Sequence, residues 1–232
     1  MKTPTSPARR NKYALHEALK TDDINLAKSI IEMEEDANFH QSLTGEPLIM
    51  KIAWKGDFEI FDLMVKKGVH TKVWGEFGHT LLHAAAEGGN EQIFLSLVDG
   101  NFNPNITNNE NCTLLHSAAF GGNFVIFKTV FEKGGNLLAI DDRGNTVLHV
   151  AAEGGSDEIV ELILNNISYE NIHNDEGDTV LHLAARYGNA KMIKLLTDAG
   201  ASPFQENAKG DIPLEYAWRS EVYESLSSVM SE

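Results

Sequence analysis

Hydrophobic residues along this chain fall in pairs of short segments with helical spacing, and a polar connector rich in Gly, Asn and Asp closes each pair. The first segment of a pair is alanine-rich, as in TLLHAAAEGG from Thr80. The second carries larger apolar residues, as in EQIFLSLV, NFVIFKTVF, DEIVELIL and AKMIKLL. A Gly-Gly or Gly-Asn break separates the two (Gly88-Gly89, Gly121-Gly122, Gly154-Gly155, Gly188-Asn189). Glycine ends helices there because it accepts positive φ. The pattern predicts helix–turn–helix pairs in which Thr80, Thr113, Thr146 and Thr179 are N-caps, each hydroxyl accepting a backbone N–H.

The pairs are copies. TLLHSAAFGG begins at Thr113, TVLHVAAEGG at Thr146 and TVLHLAARYG at Thr179, so His83, His116, His149 and His182 recur at an interval of 33 (116 − 83 = 33). Gly45, Gly78, Gly144, Gly177 and Gly210 keep the same phase, with Asn111 in the one vacancy. A fixed period of this size marks stacked repeats, which have no single central core. Other units are weaker: GEPLIMKIAWKGDFEIFDLMVKKG has Met50 at the histidine place and Pro47 in the Thr column, and ALHEALKTDDINLAKSII carries His16 slightly out of phase. The last, GDIPLEYAW, has Glu215 for histidine and is expected to have a truncated second helix. Ala53, Ala86, Ala119, Ala152 and Ala185 form a small-residue column where neighbouring repeats pack closely. Leu19 and Trp218 take that place at the two ends, so Trp218 is expected to cap the stack.

Thr-x-Leu-His, then x-Ala-Ala, a glycine, a second amphipathic helix and a Gly/Asn turn at this period resemble the ankyrin repeat, closely so from Gly78 to Phe204. The resemblance implies an all-α ankyrin-repeat solenoid of helix–turn–helix units joined by β-turn or hairpin loops. Six full repeats and a partial C-terminal one are expected over residues 11–218, with a disordered basic arm at 1–10 and a capping helix or tail at 219–232. It further implies that the Thr and His side chains bond locally and tie one repeat to the next. The function implied is non-enzymatic binding of another protein through the concave face and the turn tips.

Charge narrows the partner. A net charge of −15 leaves Lys2, Arg9, Arg10 and Lys12 as a short basic start rather than a stripe, which disfavours nucleic acid and favours a partner with a basic surface. No apolar run approaches the roughly 18 residues of a membrane span, and MKTPTSPARR lacks the apolar stretch of a secretory signal. Cys112 is the single cysteine, so a reducing, cytoplasmic compartment is the expectation, and the Asn-x-Ser/Thr triplets at Asn105, Asn111 and Asn166 read as chance. The chain is expected to be monomeric in isolation.

The histidines invite a chemical reading that their spacing opposes. Zinc ligands lie within about 2.0–2.3 Å of the ion, whereas helices of adjacent repeats pack roughly 8–10 Å apart. No Ser, Cys or paired carboxylate repeats beside them either, so neither metal nor cofactor is expected, and they read as framework.

Function then belongs in the columns that vary. The column four after the histidine place holds Lys20, Trp54, Glu87, Phe120, Glu153 and Arg186. The tips hold Thr44, Phe77, Glu110, Arg143, Glu176 and Lys209 before the phased position, and Glu46, His79, Cys112, Asn145, Asp178 and Asp211 after it. By resemblance these face the concave side. Trp54, Phe77 and Phe120 make an aromatic centre, with Trp74 on a neighbouring turn, and Glu87, Glu110, Glu153, Glu176, Asp178, Arg143, Arg186 and Tyr187 surround it. An apolar centre with a polar rim is the anatomy of a protein-binding surface. Two alternatives stand beside this one. The Ser- and Glu-rich tail RSEVYESLSSVMSE is similar to the export signal of bacterial type IV effectors, which would place the protein in a host cytosol on a host partner. Alternatively, Cys112 or His79 performs chemistry.

Overall fold

The computed structural model describes residues 7–33, 46–98, 102–168 and 172–231. They form two compact units, residues 1–99 and 100–232. The first contains three helix pairs: α1 (Pro7–Lys20) with α2 (Ile24–Met33), α3 (Leu48–Lys55) with α4 (Phe58–Lys66), and α5 (Leu81–Glu87) with α6 (Glu91–Leu97). The second contains α7 (Leu114–Gly121) with α8 (Phe124–Glu132), α9 (Val147–Gly154) with α10 (Asp157–Leu164), and α11 (Val180–Tyr187) with α12 (Ala190–Asp198). A 3-10 turn, Pro213–Tyr216, and α13 (Ser220–Val229) close it.

Two layers run through each unit. First helices pack on first helices (α3 on α5; α7 on α9, α9 on α11), and second helices on second (α2 on α4, α4 on α6; α8 on α10, α10 on α12). Residue size explains the division. Ala53, Ala86, Ala119, Ala152 and Ala185 are all buried, which lets first helices approach closely. Second helices bury the larger groups: Ile60, Phe61 and Met64; Ile93 and Phe94; Ile126, Phe127 and Val130; Ile159, Val160 and Ile163; Met192, Ile193 and Leu196. Four of these N-termini are capped by Asp57, Asn123, Ser156 and Asn189, whose side chains accept from Ile60, Ile126, Ile159 and Met192 N–H.

Between pairs the chain makes short hairpins, with antiparallel bridges Trp74–Thr80, Thr107–Thr113, Ile140–Thr146 and His173–Thr179. The phased position is left-handed in every described hairpin: φ is 72° at Gly78, 74° at Gly144, 76° at Gly177, 86° at Gly210, and 55° at Asn111. Asparagine stands in for glycine at little steric cost there.

The ends depart from expectation. Pro7–Arg10 open α1 instead of belonging to a disordered arm, and residues 1–6 lie outside the described residues. In the closing unit the first helix is the short one, reduced to the 3-10 turn. The second, α13, has 10 residues and packs Val222 and Leu226 against the fold beside α12. Because the first helix stops at Tyr216, Trp218 leaves the small-residue column: it is 72% exposed and held from outside, its Nε1 donating to Arg186 O at 2.8 Å.

Candidate functional site

The repeated histidines bind their own repeat. Nδ1 of His83, His116, His149 and His182 lies 2.8–2.9 Å from the Oγ1 of Thr80, Thr113, Thr146 and Thr179, and each Thr N–H donates to the same nitrogen. Nδ1 is therefore an acceptor, the proton sits on Nε2, and the ring is neutral. In the second unit Nε2 reaches forward one repeat, from His116 to Asn145 O (3.3 Å) and from His182 to Asp211 O (3.0 Å). His149 Nε2 is buried and meets no hydrogen-bond partner among the described residues. Burial lowers the pKa of His116 and takes that of His149 to about 4. Among the described residues no group of three His, Cys, Asp or Glu could hold a metal ion.

A second ladder was missed in the sequence. Three residues before the phased position stand Asn108, Asp141, Asn174 and Asn207, and the Oδ1 of each accepts N–H groups two and four residues on. Asn174 Nδ2 also donates to Asn145 Oδ1 (2.9 Å), and Asn207 Nδ2 to Asp178 Oδ1 (2.7 Å), so these two tips are each tied to the one before. This corrects the assignment of Asp178 to a binding rim. Its carboxylate is 1% exposed and also meets Arg186 Nη2 at 3.4 Å. Arg186 in turn lies 4.2 Å from the centre of the Tyr216 ring, so much of its guanidinium is engaged within the fold. The column was legible as a run of Asn and Asp at period 33.

In the first unit the ladder is interrupted, because Gly75 stands where the Asx residue would be. Without that side chain the tip tightens into a 3-10 turn, Glu76–Gly78, and Phe77 joins Gly78 in the left-handed region at φ 54°. For a bulky residue this conformation costs roughly 1–2 kcal/mol. Strain of this kind clusters at functional sites, and here it holds a Phe ring 62% exposed. Trp54, on the last turn of α3, is 56% exposed, and Trp74, on the hairpin, 67%. Trp54 and Phe77 line one cleft of about 250 Å³ with Glu46, Met50, Lys51, Glu76, His79, Ala84 and Glu87. His79 Nδ1 lies 3.4 Å from Glu87 Oε2, and its ring centre lies 5.5 Å from that of His83. Of the expected site residues, this cleft unites Trp54, Phe77, His79 and Glu87. It adds Glu46 from the tip column, and Lys51 and Glu76, which were not among the expected site residues.

The second unit presents Phe120 (47% exposed) and Tyr187 on the last turns of their helices, with Arg143 and Glu176 exposed at the tips. Glu110, Cys112 and Glu153 are partly exposed. The tips are stapled by main chain: Glu110 O accepts from Asp142 N–H, Arg143 O from Asp175 N–H, and Glu176 O from Ala208 N–H. Their side chains are thus displayed on a fixed backbone.

Comparison with known proteins follows the same lines. The sequence model "Ankyrin repeats (3 copies)" matches residues 15–108, 82–172 and 148–230. No curated protein matches the chain. Among solved structures, a chain from "Bd0816 Predatory Endopeptidase from Bdellovibrio bacteriovorus in complex with immunity protein Bd3460" aligns at 29% identity and TM-score 0.61, covering 78% of this chain and 96% of that one. The human ASB11 ankyrin repeat domain aligns at 22% identity and TM-score 0.66, covering 94% of this chain and 97% of its own; at that identity the likeness is one of fold.

Proposed function

Since the chain belongs to the ankyrin-repeat family, we propose that it is a non-enzymatic module that binds another protein through its concave face and turn tips. Ankyrin repeats generally serve protein–protein interaction, and a fold of this kind carries function in its site rather than its scaffold. The observation that carries the reading is the cleft of the first unit, where Trp54 and Phe77 are held exposed and Phe77 occupies a strained backbone position. Large aromatics at the centre of an interface supply most of its energy. Phe120 and Tyr187 add aromatic surface in the second unit.

Net charge of −15 favours a partner with a basic surface, since complementary charge raises the rate of encounter. One similar structure is that of a complex with an immunity protein, which supports assembly with a protein partner as the working state. Occupying a partner's surface would itself inhibit it competitively. The reading is tested by capture from a lysate, scored by mass spectrometry, with wild type against a Trp54→Ala/Phe120→Ala variant shown to be folded. A protein held by wild type and lost by the variant supports it; equal capture contradicts it.

A further inference from the structure

The cleft of the first unit combines aromatic faces with carboxylates, a pairing that suits a cation and little else. Trp54 and Phe77 line it with Glu46, Glu76 and Glu87. An anion would meet three carboxylates. An aliphatic group would strip water from them and return no hydrogen bond. A basic group satisfies both surfaces at once, lying against an aromatic face while donating to carboxylate oxygens. Lys51 also lines the cleft, so carboxylates exceed ammonium groups there, and His79 is turned to Glu87 with Nδ1 at 3.4 Å.

Size and shape narrow the occupant. About 250 Å³ falls below the range of roughly 300–1,000 Å³ usual for small-molecule pockets, which suits one long side chain. Gly75 lets two lining side chains pack against the tip: a Cβ there would lie 2.9 Å from Glu46 Oε1 and 2.9 Å from Met50 Cε, so any side chain would displace them. The equivalent residues of the later hairpins (Asn108, Asp141, Asn174, Asn207) all carry side chains.

We propose that this cleft receives a single basic side chain, arginine or lysine, of the partner protein. The proposal rests on the reading of this face as protein-binding and assigns the chemistry of its central contact.

The test needs no knowledge of the partner. Blocked pentapeptides Ala-Ala-Xaa-Ala-Ala, with Arg, Lys, norleucine or Glu at the centre, are titrated into the full chain while the indole N–H resonance of Trp54, assigned with Trp54→Phe, is followed. Arg or Lys peptides are expected to shift it saturably and to bind at least about tenfold more tightly than norleucine, with no saturation by Glu. Glu76→Gln/Glu87→Gln should weaken the cationic peptides by about tenfold, and Gly75→Ala should weaken them by displacing the Glu46 carboxylate and Met50. If the double variant does not fold, Gly75→Ala and the norleucine comparison decide. Norleucine binding as well as arginine, or no saturable shift with either cationic peptide, overturns the proposal. Failure of the wider reading looks different: lysate capture would then be indifferent to the loss of Trp54 and Phe120.

Discussion

Asn207 Nδ2 lies 2.7 Å from Asp178 Oδ1, and this buried bond joins the closing unit to the repeat before it. Asn207 Oδ1 meanwhile accepts the N–H groups of Lys209 and Asp211. Asn207→Ala would leave a carboxylate oxygen short of a donor and two turn amides short of an acceptor. The expected loss is about 1–3 kcal/mol in urea unfolding, against about 0.5 kcal/mol or less for the exposed control Arg143→Ala.

Acid should loosen the stack through its histidines. His149 titrates at 6.5 when unfolded and at about 4 when folded, because burial disfavours the imidazolium. The unfolded state therefore binds the proton first. The stability at stake is fully present above pH 6.5 and is lost as pH falls through the folded value. The total is on the order of 3 kcal/mol. Urea midpoints should fall between those two values, and His149→Gln should flatten the slope there; an unchanged slope would refute the assignment.

What was legible in the sequence was what is copied. His83, His116, His149 and His182 announce a framework role by recurring, and the Ala53–Ala185 column announces close packing. Asp178 was misjudged because an Asp in a polar column looks solvated, and its burial depends on Asn207 supplied 29 residues later. Phe77 beside Gly78 gave no hint that both would be left-handed; that follows from the absence of an Asx side chain at Gly75. The short first helix of the closing unit was equally hidden, since Pro213 at its start is ordinary helix-opening chemistry.

The small-residue column makes a packing prediction. Ala152 is fully buried where α9 packs between α7 and α11. Ala152→Leu should cost about 1–3 kcal/mol by overpacking. The same change at Glu153, which is partly exposed, should cost far less, and thermal unfolding of the two variants compares them directly.

Strain at Phe77 predicts opposed effects on stability and binding. Phe77→Asn places a residue tolerant of φ 54° at the tip and should stabilise the chain by about 1 kcal/mol. It should also weaken binding of the cationic peptides, since an aromatic face of the cleft is lost. A variant both less stable and equally competent would remove the link between strain and function.

The most direct measurement is calorimetric titration of the captured partner against wild type and single alanine variants at Trp54, Phe77, Phe120, Arg143 and Glu153. Losses of about 2 kcal/mol or more, near thirtyfold in Kd, are expected at Trp54 and Phe77, and under about 1 kcal/mol at Arg143 and Glu153. If Trp54→Ala and Phe77→Ala both bind like wild type, the cleft of the first unit is not the binding centre.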